Sequence, residues 1–179
     1  YYMFFIKEHL ADMFPHLLSY NRFLELEARV SVEMTMFLQI CCFGRCTGIS
    51  FIDSTCIPVC HNKRIYRNKV FRNYATRGKS TMGWYFGFKL HLICNESGEI
   101  LNFMLTKVNV DDWDEIVFNR LTDHVFGKLF ADKGYIYQGL YEKLFNEGIN
   151  MDTGIRSNMK NKLKPIYDRL LLRQRSVNE

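Results

Sequence analysis

Apolar residues recur along this chain with two different periods. Between Asn21 and about Cys42, Leu26, Val30, Met34, Phe37, Leu38 and Cys41 return every three or four positions. That is the period of an amphipathic helix, with Ser19 and Asn21 ahead of it as candidate caps. Gly48 to Asp53 is a short apolar run that predicts a buried strand ending on a carboxylate. Pro58 to Thr81 has little period and reads as a long surface loop or irregular hairpin. From Trp84 to Leu92 the period drops to two. Trp84, Phe86, Phe88, Leu90 and Leu92 share one face, and Tyr85, Lys89 and His91 the other. Asn95 to Gly98 supplies turn residues, and Glu99 to Lys107 the partner strand of a hairpin.

The second half continues the alternation of elements. Asp111 and Asp112 are expected to cap a helix with Asp114 and Glu115 in its first turn and Trp113, Ile116, Val117 and Leu121 as its apolar stripe. Lys128 to Ala131 is a brief strand stopped at Asp132. A helix from about Tyr137 to Asn146 ends before Gly148. Ile149 to Thr153 is a fifth strand, and a basic, mostly helical tail follows in which Pro165 starts or breaks a helix. This order predicts an α/β fold, a mixed five-stranded sheet flanked by helices, over residues 48–179, with an N-terminal helical lead-in over 1–47.

Composition narrows the class. With 47% hydrophobic residues in 179, the chain can pack one core and carry a short extension. The apolar opening, Tyr1 to Ile6, is broken at once by Lys7, Glu8 and His9, so it reads as neither signal peptide nor membrane span, and a cytoplasmic protein without a membrane partner is expected. The missing initiator Met suggests a piece of a longer protein. Six cysteines without a secretion signal are expected to be reduced, small core residues. Cys56, Cys60 and His61 could suggest a zinc knuckle, but the four-residue step and the lack of a second pair argue against one.

The net charge of +5 matters through its distribution. No acidic residue occurs between Asp53 and Glu96, where Lys63, Arg64, Arg67, Lys69, Arg72, Arg77, Lys79 and Lys89 fall, interleaved with Tyr66, Phe71 and Tyr74. A second basic run holds Arg156, Lys160, Lys162, Lys164, Arg169, Arg173 and Arg175, with Asp168 as its acid. Two patches of one sign in a small domain favour a polyanionic partner, nucleic acid first.

Asp53 in one short buried strand and Asp132 directly after another could reach a common sheet edge. Either alone is more simply a turn former or cap. Five ordered segments change that: Phe51-Ile52-Asp53-Ser54-Thr55, Gly83 to His91, Asn109-Val110-Asp111-Asp112, Ala131-Asp132-Lys133-Gly134-Tyr135 and Arg173 to Glu179. Together they closely resemble bacterial insertion-sequence transposases of the DDE type, over the chain from about Ser19 to its end.

The resemblance implies a ribonuclease-H-like fold, with Asp53 on the first strand, Asp132 after the fourth and Glu179 on a later helix as catalytic, metal-binding carboxylates. In-line phosphodiester cleavage suits two divalent cations roughly 3.5–4 Å apart. Hard oxygen ligands point to Mg²⁺, with Mn²⁺ able to substitute. The expected assignment has Asp53 bridging two ions, Asp132 binding one and Glu179 the other. Double-stranded DNA, both transposon ends and target, would lie on Lys63, Arg64, Arg67, Lys69, Arg72, Lys79, Arg156, Lys160 and Arg175, with Lys89 and His91 able to meet the scissile strand or, equally, to serve a structural or solvent-exposed role. For Asp111 and Asp112, helix capping suffices.

The family further implies a homodimer that holds two DNA ends, acting in the bacterial cytoplasm. Glu179 is the last residue, so the domain is expected to be truncated at its C-terminal end and weakly active or inactive. Two other readings stay open: a ribonuclease-H-like nuclease without strand transfer, and an inactive basic DNA-binding remnant. Strand transfer discriminates against the first and metal dependence against the second.

Overall fold

The computed structural model of the protein describes residues 1–14, 16–80, 83–135, 138–154 and 164–174. The chain divides into two compact units, Tyr1–Cys42 and Phe43–Glu179. In the first, a single helical turn, α1 (Lys7–His9), precedes α2 (Tyr20–Arg29) and α3 (Ser31–Phe37). Ser19 caps α2, its hydroxyl accepting from the Arg22 amide at 3.3 Å. The lead-in helix expected without interruption is broken at Val30, which leaves the helical region at φ −94°, ψ 9°. Tyr2 is the buried anchor of this unit, its ring 4.7 Å from that of Phe23 and its hydroxyl donating to the Leu18 carbonyl.

The second unit holds strands β1 (Ile49–Cys60), β2 (Thr76–Ser80), β3 (Gly83–Asn95), β4 (Ile100–Lys107), β5 (Gly127–Ala131) and β6 (Ile149–Thr153). Its helices are α4 (Glu115–Leu121), α5 (Gln138–Asn146) and α6 (Ile166–Gln174). β1 runs antiparallel along one edge of β3. The other edge of β3 is shared, its first half pairing with β2 and its second with β4. Where β2 meets the end of β4, Gly78 leaves space for Val108, whose Cγ1 lies 2.0 Å from where a Cβ would stand.

On the far side of β1, β5 and then β6 add in parallel. Three antiparallel strands followed by two parallel ones, with helices in both parallel crossovers, make a ribonuclease-H-like mixed sheet. The fold class is as expected, with six strands instead of five. The extra strand, β2, falls in the segment read as loop, because Thr76 to Ser80 has no apolar alternation and is held by its ladder to β3 rather than by a buried face.

β1 also runs seven residues past Asp53, again through exposed positions that carry no burial signal. It starts beside β5 at a close backbone approach. Gly48 and Gly127 both have positive φ, and a Cβ on Gly127 would lie 2.4 Å from the Gly48 carbonyl oxygen, which accepts from the Lys128 amide at 2.8 Å.

Each face of the sheet has its own core. On one, Ile52, Ile93, Leu129, Ala131, Ile149 and Met151 pack against Val117, Phe118 and Leu121 of α4 and Leu140 and Leu144 of α5. On the other, Phe51 and Phe130 pack against Leu171 of α6. The expected stripe of α4 is rotated: Val117, Phe118 and Leu121 are buried, whereas Ile116 and Trp113 face outward. The cap is corrected with it. Asp114, not Asp111 or Asp112, caps α4, accepting from the amides of Ile116 and Val117 at 3.1 Å each. The cysteines are not the core residues expected either, since Cys41, Cys42 and Cys56 are exposed and Cys46, Cys60 and Cys94 half-buried, all as free thiols. No described helix is long and apolar enough to cross a membrane.

Candidate functional site

Register places the two aspartates at matching positions along neighbouring strands. Phe51 of β1 pairs with Phe130 of β5, and their rings stack 5.6 Å apart. Asp53 and Asp132 each stand two residues further along, past the point where the β1–β5 ladder stops. Side chains alternate along a strand, so Asp53 shares the face of Phe51, the face on which α6 packs. Asp132 follows the last residue of β5, at the matching position. Asp53 is half-buried and Asp132 exposed. Two hard carboxylates at matching positions just past the paired stretch of two parallel strands are a donor set that fits a divalent cation.

Glu179, the third expected ligand, lies outside the described residues, as do Arg156, Lys160 and Arg175 of the expected DNA-binding set. Among the described residues no group of three His, Cys, Asp or Glu could hold a metal ion. Asp152 of β6, in register with Phe130, is a third carboxylate on this side of the sheet, but Lys164 is ion-paired to it. α6 is tied to the same side by the Lys128–Asp168 ion pair at 2.6 Å.

The basic segment belongs to the same face. Leu92 is the cross-strand partner of Asp53, and Leu90 and Phe88 follow on its face of β3. The ring of Phe71 meets that of Phe88 edge-on at 5.6 Å, which pins the segment to the sheet on the Asp53 side, about 13 Å along β3 at 3.3 Å per residue. Lys63, Arg64, Arg67, Lys69, Arg72 and Lys79 are all exposed, and none pairs with an acid among the described residues. Arg77, outside the expected DNA-binding set, lies over the exposed Trp84 ring at 5.4 Å. Their contact is made across two strands, and no local sequence signal announces it.

Lys89 and His91 differ from the rest. Both stand on the face opposite Asp53. His91 is fully buried, its Nε2 2.9 Å from Thr106 Oγ1. Its side chain therefore has no surface on which to meet a DNA strand. Burial pushes its pKa below the ordinary histidine value of 6.5; nearby Asp112 opposes the shift and Lys89 adds to it. Lys89 donates to the Val110 carbonyl at 2.8 Å and pairs with Asp112 at 3.1 Å. Polar residues on a strand face look alike in sequence whether they meet solvent or a buried partner, and Asp112, the partner here, comes from the segment after β4.

A ribonuclease-H-like sheet with two aligned aspartates at its edge and a basic segment on the same face defines a class of nucleic-acid-processing domains. The chain belongs to the transposase DDE domain family, whose model matches residues 43–179. No curated protein matches it. Among solved structures it is similar to the piggyBac transposase in a cryo-EM synaptic complex with hairpin DNA, at 15% identity and a TM-score of 0.48. The match covers 73% of this chain and 28% of the transposase chain, so the chain spans little more than a quarter of that protein's length.

Proposed function

We propose that the chain is the catalytic part of a DNA transposase that cuts transposon ends and transfers the strand to target DNA, using Asp53, Asp132 and Glu179. The observation that carries this reading is the matched position of Asp53 and Asp132 on neighbouring strands in a chain of the transposase DDE family. Glu179 is supported by sequence alone.

Asp53, Asp132 and Glu179 would hold two Mg²⁺ ions, with Mn²⁺ able to substitute. Divalent cations at this position supply activation of the attacking oxygen and stabilisation of the leaving one. The protein's own part is electrostatic and positional. The carboxylates set the acceptor geometry, and the exposed cations from Lys63 to Lys79 neutralise phosphates of double-stranded DNA running over the same face. A homodimer holding two ends, and a bacterial insertion-sequence element as the source, complete the proposal.

Titration calorimetry with Mn²⁺, followed by cleavage and strand transfer on duplex DNA, tests it. Metal binding by the parent and its loss in the Asp53→Asn, Asp132→Asn double variant is the expected result. Metal-dependent hydrolysis without joining of a 3′-hydroxyl to target would leave a nuclease. Salt-sensitive DNA binding indifferent to metal would leave a DNA-binding remnant.

A further inference from the structure

The backbone ladders of the sheet stop short of Asp132. The ladder to β1 stops at Phe51–Phe130 and that to β6 at Ala131–Thr153. Beyond Ala131 the chain turns at once, the Tyr135 amide donating to the Asp132 carbonyl at 3.0 Å. Tyr135 itself is buried, its ring 6.0 Å from that of Phe118. That anchors one side of the turn. The other side meets Asp112: a Cβ on Gly134 would stand 3.5 Å from Asp112 Oδ2, so the carboxylate lies directly against the turn that follows Asp132.

Asp112 is in turn gripped from the sheet. Its Oδ1 is 3.1 Å from Lys89 Nζ, whereas His91 Nδ1, 4.0 Å away, makes no hydrogen bond to it. Lys89 also ties down the segment that carries Asp112, through the Val110 carbonyl. His91 is fixed by Thr106 of β4. The side chains of Lys89 and Asp112 are only 15% and 27% exposed. A pair this far from water is a poor source of stability, because desolvation offsets most of its attraction, so its value lies in fixing geometry.

We propose that Asp112, held by Lys89, is a positioning residue that fixes the Asp132–Gly134 turn and through it the orientation of Asp132 relative to Asp53. This rests on the reading of Asp53 and Asp132 as the metal-binding pair. The clamp reaches the site from the opposite face of the sheet and touches no substrate.

Amide hydrogen exchange and Mn²⁺ calorimetry on Asp112→Asn, Lys89→Met, the double variant and Asp53→Asn test it. In Asp112→Asn the Gly134 and Tyr135 amides should exchange faster while those of Ile52 and Ile93 keep their parental rates. Its Mn²⁺ affinity should fall about tenfold, the usual size for a group that orients a ligand from behind. Lys89→Met should do the same, and the double variant no more than either single one, since they form one unit. If Asp112→Asn does not fold, Lys89→Met carries the test.

Parental exchange at the turn overturns the proposal, as does accelerated exchange with unchanged Mn²⁺ affinity. If Asp53→Asn binds Mn²⁺ as well as the parent, the carboxylate pair itself is refuted. The exchange data then decide the clamp alone: acceleration confined to the turn supports it, and parental rates overturn it.

Discussion

Phe51 and Phe130 stack at 5.6 Å with their ring planes 28° apart, and a carboxylate stands two residues beyond each. The stack sets the register of the parallel pair β1–β5 at the point where the aspartates diverge from it, and Leu171 closes it from above. Phe130 is fully buried, so Phe130→Ala should cost about 3–5 kcal/mol in urea unfolding. Phe145→Ala on α5, where the ring is 70% exposed, should change stability by less than about 0.5 kcal/mol. Equal effects from the two would mean that the second core under α6 contributes nothing.

On the proposed reading, the exposed cations that have no acidic partner among the described residues would act on DNA through phosphate neutralisation. Replacing Arg64, Arg67 or Arg72 by Gln should weaken DNA binding to a similar degree for any sequence. Each should reduce the slope of log K against log salt by about one. Binding isotherms at several salt concentrations check this. A loss confined to one DNA sequence would assign the residue to base reading instead.

Where strand alternation or an apolar run was bounded by turn residues, the elements of the sheet were legible. Trp84 to Leu92 alternates and is part of β3, Asn95 to Gly98 turns, and Lys128 to Ala131 ends at Asp132 as expected. Elements built from exposed residues were not legible. β2 and the second half of β1 are held by backbone ladders whose side chains face outward, and a ladder leaves no mark on composition. For the site, the sequence could offer Asp53 and Asp132 only as candidates, because their alignment depends on the register of strands more than 70 residues apart. Between a DNA-facing and a structural role for Lys89 and His91 the sequence could not choose. A strand has two faces of equal periodicity, and only the packing of α4 and α5 decides which is buried.

Asp114 accepts two amide hydrogen bonds at the start of α4, whereas Asp112 looks away into the Lys89 pair. Asp114→Ala should therefore destabilise the protein by about 1 kcal/mol, the usual loss for an N-cap, and Asp111→Ala by much less. Thermal unfolding of both variants measures the difference. The reverse order would restore Asp111 as the cap.

His91 gives the protein an acid-side weakness. Burial lowers its pKa in the folded chain below the 6.5 of the unfolded one, so over the interval between the two values the unfolded state binds more protons. Its contribution is intact above about pH 6.5, declines as pH falls through that value, and levels off below the lowered folded pKa. Asp112 pulls the other way and Lys89 with the shift, so the net direction is set by desolvation. The difference between variants isolates His91 from every other group. His91→Gln retains a group able to bond to Thr106 but cannot be protonated. Its unfolding free energy should vary less between pH 7 and pH 5 than the parent's, although it is lower at pH 7 because the imidazole packing is lost. Parallel pH profiles for the two proteins would show that His91 takes up its proton alike in the folded and unfolded states, and that its burial carries no acid sensitivity.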